Sequence, residues 1–207
     1  MIAQTPTPPQ SYIAPLLATL PPNARLLVQA GARDGDLARA YRDIYPASSW
    51  LAVEDDAAHA QQARAYADRV HQADLDSTGE AFYRQLEWAD GWIFDATLEN
   101  LRHPDRVLAQ VRRVIQCDAC IVARVANSAH WQAPARAPRH PMALDATLAL
   151  LRGAGFRIAS GVLLDPGTLP AELDTALRLR AASEGADPGP LLEAARPSHY
   201  LIKAVPA

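Results

Sequence analysis

The sequence predicts an α/β fold, a mainly parallel sheet of seven strands with helices on both faces. Three observations carry this expectation. Short apolar runs alternate with stretches of helical periodicity along nearly the whole chain, the pattern of a wound parallel sheet. The first run, Leu26 to Val28, passes through a glycine-containing turn into Leu37, Ala40, Tyr41 and Ile44, spaced by threes and fours. Acids then stand where successive strands end, at Glu54, Asp74 and Asp95.

The elements follow in order. Residues 1 to about 10 are rich in Pro and Thr and read as an arm. Ser11 to Leu20 reads as a short helix stopped by Pro21-Pro22, lying against the sheet edge. After the first strand, loop and helix comes a second strand at Trp50–Val53, ending on Glu54-Asp55-Asp56. An Ala-rich helix over 57–67 leads to a brief third strand, Arg69–His71, and a helix over 80–88 to a fourth, Gly91–Phe94.

Pro104 suits a first helical turn, and Val107, Leu108, Val111, Val114 and Ile115 form one apolar stripe behind it. The fifth strand is Ala119–Val125. Residues 132–143 hold three prolines and no periodicity, so they read as a loop. Asp145 reads as the cap of a helix to Ala154, with Gly155 in the terminator position. Phe156–Leu164 is a sixth strand, and two helices (170–182 and 190–195) lead to a seventh at Ser198–Val205, expected to pair antiparallel with the sixth. The chain thus divides into an arm and short helix over 1–20 and one α/β domain over 21–207, with a helical insert at about 166–196.

Composition narrows the function. With 207 residues the chain can bury a substantial core, and 49% hydrophobic against 21% charged residues is ordinary for a globular protein. A net charge of −3, with Lys203 the only lysine, gives no basic face for a phosphate backbone, so no nucleic-acid partner is expected. No run reaches the roughly 20 apolar residues that span a bilayer, and Met1–Gln10 lacks the features of a signal peptide; the expectation is a cytoplasmic protein without a membrane. Cys117 and Cys120 have the spacing of a dithiol but follow a helix instead of opening one. No second ligand pair accompanies them, so they are expected to be small buried thiols, with no metal site.

In a doubly wound sheet the carboxyl ends of neighbouring strands share one crevice. Gly31 and Gly35 can bring backbone close to a ligand there, and the amides opening the next helix can face an anionic group. A carboxylate after the second strand, Glu54, is placed to accept from both hydroxyls of a ribose, and Asp74 after the third to take an exocyclic amine of adenine. The set points to an adenosine-containing ligand. The Gly-x-Gly-x-x-Gly spacing of a dinucleotide oxidoreductase is missing.

These residues resemble the Rossmann-like class I S-adenosylmethionine-dependent methyltransferases, and among them a bacterial group associated with glycosyltransferases. Val28-Gln-Ala-Gly-Ala-Arg-Asp-Gly35 lies over that group's glycine-rich first motif, Ala52-Val-Glu54 over its second strand end, and Ala73-Asp74 over the Gly-Asp after its third strand. Phe94-Asp-Ala-Thr-Leu-Glu-Asn-Leu-Arg-His-Pro104 is similar to its Gly-Asp-Val-Leu-Glu-His-Leu-x-x-Pro segment. Val125-Ala-Asn-Ser-Ala-His-Trp131 and His199-Tyr-Leu-Ile-Lys-Ala204 resemble later motifs. The likeness runs from about Leu26 to the C-terminus. It implies S-adenosylmethionine as cofactor, held by Gln29, Gly31, Gly35, Glu54, Asp74 and Asp95, with Asn127 and His130 on the substrate side and His130 the candidate catalytic group.

Four departures qualify that implication. Gln29 replaces the family's first-strand acid, Arg33 its central loop glycine and Asn100 its histidine, and only a short Pro-rich loop joins Trp131 to Asp145. His103 reads as a helix-start residue, while His59, His71, His140 and His199 stand in no constellation. Two readings stay open: methyl transfer to a small-molecule or glycan oxygen or nitrogen, and a methyltransferase-like protein without catalysis that serves as a binding or partner subunit. Either is compatible with a homo- or hetero-oligomer.

Overall fold

The computed structural model describes residues 12–31, 35–132 and 137–207. The arm before Tyr12 and Arg33 lie outside the described residues. Seven strands form one sheet: β1 (Leu26–Ala30), β2 (Ser49–Glu54), β3 (Arg69–Gln72), β4 (Gly91–Asp95), β5 (Cys120–Ala126), β6 (Phe156–Leu164) and β7 (His199–Pro206). Their order is β3-β2-β1-β4-β5-β7-β6. The first five are parallel, and β7 inserts antiparallel between β5 and β6. The chain reverses its direction of winding between β1 and β4, which puts the topological switch point at their carboxyl ends.

Helices α1 (Ile13–Thr19), α2 (Asp36–Ile44), α3 (Ala57–Ala63), α4 (Glu80–Arg84), α5 (Pro104–Val114) and α6 (Leu144–Gly153) cover the sheet. Helices α7 (Ala171–Ser183) and α8 (Pro188–Ala195) fill the connection between β6 and β7. Strand alternation divides the core in two. Val28, Leu51, Val53, Trp92 and Phe94 pack on the side of α4 and α5, while Leu27, Trp50, Ala52, Ile93 and Val122 pack on the side of α1 and α2. The whole predicted stripe of α5 is buried. The N-terminal helix packs against α2 and β7 on the second of these faces.

Three local expectations are corrected. Asp145 does not cap α6: the N-cap is Ala143, with no side-chain hydrogen bond, and Asp145 sits inside the first turn. An acid there favours the helix through its dipole without making the cap bond. Gly155 does take the left-handed conformation after the helix, at φ 86°. Of the two thiols only Cys120, in β5, is buried; Cys117 lies in the preceding turn and is exposed. Helix α4 ends at Arg84, four residues early, because Gln85–Ala89 close into successive tight turns.

Candidate functional site

A cavity of about 520 Å³ opens at the carboxyl ends of β1, β2 and β4. Its walls come from Ala30 and Gly31, from Val53–Asp55 with His59 on α3, from Ala73–Asp76 and from Asp95–Thr97. Asn100 and Leu101, with Ala137 and Arg139 of the loop after β5, close it. Glu54, Asp55, Asp74, Asp76 and Asp95 give the lining five carboxylates, against Arg139 as its one described guanidinium. Asp95 is paired with Arg124, and Asp74 and Asp76 share Arg102, so the wall stays acidic on balance but carries less net charge than five carboxylates would give.

Each acid arrives by strand geometry. Glu54 ends β2 and is 4% exposed. Asp95 ends β4, directly across from Arg124 on β5, and its Oδ1 accepts a very short hydrogen bond from Arg124 Nε within a buried ion pair. Asp74 follows β3; its Oδ1 accepts from the Asp76 amide at 2.9 Å and its Oδ2 from Arg102 Nη2 at 2.5 Å. Arg102 therefore shares the place at which the sequence puts an adenine amine. Asp76, unremarked in the sequence, is the structural pin of this wall. It accepts from the amides of Arg102 and His103 at 2.7 and 2.8 Å. Burial raises its carboxyl, but those two amides and the Arg102 charge outweigh it, so the group stays below the usual range.

Gly31 stands at the exit of β1 with φ 73°, and a Cβ there would lie 2.5 Å from Thr97 Oγ1 and 3.2 Å from the Asp95 carbonyl. Thr97 Oγ1 donates to the Ala30 carbonyl at 3.0 Å, tying the loop after β4 to the end of β1. The next residue back, Ala96, takes φ 50°, unusual for a residue with a Cβ, and its carbonyl accepts from Asn100 Nδ2 at 2.9 Å.

Four of the sequence candidates do not reach the cavity wall. Gln29 is level with Ala52 and Ile93, two residues below Glu54 and Asp95, or about 7 Å short of the rim. It is buried on the α1–α2 side, where its Oε1 accepts from Trp50 Nε1 at 3.1 Å. Gly35 caps α2 in the left-handed conformation, and a Cβ there would lie 2.1 Å from the Tyr66 ring; this glycine is required by packing. Asn127 is a clamp: its Nδ2 donates to the carbonyls of Ala194 and Pro197, both at 2.8 Å, and its Oδ1 accepts from Ala129 N. His130 Nδ1 lies 3.2 Å from the Ala195 carbonyl, beside Trp131, which packs against the α7–α8 insert.

His59 and Arg139 were missed as lining residues. The signal for His59 is its place in the first turn of the helix that follows a strand-end acid, since such turns face the crevice. For Arg139 the Pro-rich loop offers no periodicity to read. His199, read as an ordinary strand residue, lies 3.0 Å from Ser198 Oγ through Nδ1. Burial, then the neighbouring Arg124 charge, pushes its pKa down to about 4.

No helix among the described residues is long and apolar enough to cross a membrane, and no described cluster of His, Cys, Asp and Glu could hold a metal ion. No protein-family model matches the chain, and no curated protein is similar to it. Solved structures are. An S-adenosylmethionine-dependent methyltransferase from Mesorhizobium loti superposes with a TM-score of 0.65 at 18% identity, over 95% of this chain and 98% of that one. A geranyl diphosphate methyltransferase in complex with SAM gives 0.63 at 17% identity, over 94% and 84%. The [4+2]-cyclase SpnF gives 0.63 at 16% identity, over 95% and 80%. With its strand order, its antiparallel β7 and its cavity at the switch point, the chain has the Rossmann-like fold of the S-adenosylmethionine-dependent methyltransferases.

Proposed function

We propose that this protein is an S-adenosylmethionine-dependent methyltransferase acting on a small-molecule or glycan oxygen or nitrogen. The observation that carries the reading is the carboxylate-lined cavity at the ends of β1, β2 and β4, with buried Glu54 in its wall and Gly31 bare at its floor. A sulfonium cofactor is cationic and its adenosine end is rich in hydroxyl and amine donors, so these residues fit it. Glu54 accepts from the ribose hydroxyls. Asp74 keeps acceptor capacity beyond its bonds to Arg102 and the Asp76 amide, and the Asp95 backbone with Gly31 shapes the floor. Bound there, the cofactor would supply an electrophilic methyl group to the lone pair of the acceptor, its S–C bond breaking to leave a neutral thioether and the acceptor's proton passing to solvent.

On the β4 side the described wall is Asp95–Thr97, Asn100 and Leu101, with no imidazole. In this reading the chain contributes position and charge: it holds the acceptor in line with the methyl group. Residues 21–207 act as the catalytic domain in this reading, working in the cytoplasm, with the α7–α8 insert beside the acceptor side.

A second reading is a binding or partner subunit without catalysis. What favours it is that Gln29 is spent on Trp50, Asn127 on backbone carbonyls, and Asp74 on Arg102. Titration calorimetry and a thermal-unfolding series with S-adenosylmethionine and S-adenosylhomocysteine test both. Saturation with a shift of several degrees supports the proposal; at about 100 times the dissociation constant the ligand stabilises by about 2.7 kcal/mol. No heat and no shift at millimolar ligand sinks it. Binding without turnover over a panel of hydroxyl and amine acceptors favours the second reading.

A further inference from the structure

The sheet has two edges, and they differ. On one side β3 is four residues long and carries Arg69 and His71. On the other, β6 is nine residues long, and its stretch from Ile158 to Leu164 contains no charge and no proline. Natural sheets guard a free edge with lysine, proline, a bulge or a cover. Here one guard is present, a bulge between Ile158 and Ser160, and beyond it the strand runs regularly against β7 to Leu164. Ser160, Gly161, Val162 and Leu163 are all exposed, although alternate residues point to opposite faces of the sheet; Val162 is 43% and Leu163 51% exposed. Among the described residues neither face is covered at this corner, and none pairs with the outer backbone edge of β6.

We propose that the β6 edge is a self-association surface, and that its occupant is the β6 edge of a second copy of this chain. Two antiparallel strands related by a two-fold axis present the same patch to each other, so an edge that suits itself closes a dimer without leaving a growing end. The charges on β6 suit this. Arg157 stands at its start and Asp165 just past its end, both exposed, with only uncharged residues between. An axis passing near Gly161 and Val162 sets the Arg157 end of one copy along the Asp165 end of the other, twice per dimer, and meets no like charges between them. Val162 and Leu163 of each copy are then withdrawn from water together, and the two sheets join into one of fourteen strands.

Sedimentation equilibrium of the full chain from about 1 to 200 µM tests this, a range that covers an interface at the small end of the size scale. The expected result is a reversible rise from 22.4 kDa to twice that mass. The exposed substitution pair Val162→Lys and Leu163→Lys should hold the chain at 22.4 kDa with an unchanged thermal midpoint. Arg157→Glu sets like charges together and should weaken the dimer several-fold at low salt, a gap that closes by about 0.5 M as screening shortens to a few ångströms. Amide exchange at Ser160–Leu163 should slow with concentration in the wild type and not in the lysine variant. A wild type that stays at 22.4 kDa throughout overturns the proposal, and so does a dimer that the lysine pair leaves intact.

Discussion

Asp95 and Arg124 are register partners on β4 and β5, and their side chains form an ion pair that is 6% and 10% exposed at the edge of the cavity. The Arg124 guanidinium also lies over the Tyr12 ring, its Cζ 4.1 Å from the centroid, so the pair is roofed by the start of the N-terminal helix. Asp95 thus presents a neutralised acid to the cavity, as Asp74 does through Arg102.

Breaking this pair from one side leaves the other charge buried. Arg124→Met is expected to cost about 3 to 5 kcal/mol of stability, since it strands the Asp95 carboxylate. Removing both charges with Asp95→Asn and Arg124→Met should recover much of that loss. Urea unfolding of the three variants and wild type measures it as a double-mutant cycle. Additive losses would mean that the two side chains do not act as a pair.

In the proposed function, ligand binding turns on Glu54. Charged hydrogen bonds contribute about 1.5 to 3 kcal/mol each, so Glu54→Gln should weaken S-adenosylmethionine at least tenfold while the fold is kept. Calorimetry on the folded variant gives the comparison. Affinity equal to wild type would remove Glu54 from the site.

Gly31→Ala tests the floor. The added Cβ meets Thr97 Oγ1 at 2.5 Å and must also sit at φ 73°. Strain of this kind costs about 1 to 3 kcal/mol, and a shift of Thr97 would loosen its bond to the Ala30 carbonyl. Both lower stability and weaker ligand binding are expected, read by unfolding and by calorimetry. A wild-type unfolding midpoint would show that the loop after β4 yields freely.

Much of this architecture was legible because the strands are apolar on both faces and the acids fall at their ends. The α5 stripe from Val107 to Ile115 needed only periodicity, while the antiparallel β6–β7 pair was an expectation that periodicity alone does not give. The side chains that leave the cavity were not legible for a geometric reason. Whether Gln29 reaches a rim depends on how far β1 extends beyond it, and the strand runs on to Ala30. Asn127 and His130 follow β5 as a substrate-side segment would, yet the α7–α8 insert, far along the chain, folds back and takes their polar groups. Arg102 on Asp74 is a contact across 28 residues that no local spacing announces.

Acid should unfold the protein through two groups with the same sign. The His199 pKa lies below its unfolded value of 6.5, at about 4, so its contribution is present above pH 6.5 and is lost as pH falls toward 4. The neutral imidazole faces Arg124 from β5 and His130 from the segment after it, which oppose its protonation, and Asp165 from the end of β6, which favours it. Asp76 is also held below its ordinary value, and it loses its contribution lower still, as pH falls through the carboxylate range. The His199 span corresponds to at most about 3 kcal/mol, reduced by what solvent reaches the ring. His199→Asn should flatten the stability profile between pH 6.5 and 4 and leave the steeper loss below it. A profile with unchanged slope in that window would show that His199 is not the group responsible.

Gln29→Glu restores the charge that the resembling family carries on its first strand, and the structure gives the opposite outcome from a repair. Gln29 is 1% exposed, below the cavity rim, with Oε1 on the indole of Trp50. A glutamate there keeps that acceptor but buries a carboxylate with no cation among its described partners, so its protonated form is favoured. Stability should fall by about 1 to 3 kcal/mol at pH 7 and recover as pH falls, because the raised carboxyl takes up a proton more readily in the folded state than in the unfolded one. Affinity for S-adenosylmethionine should stay within a factor of about three of wild type, less than a kcal/mol. A variant that binds tenfold tighter without losing stability would place residue 29 at the ligand after all, and would mean that β1 carries its side chain to the rim when the cavity is filled.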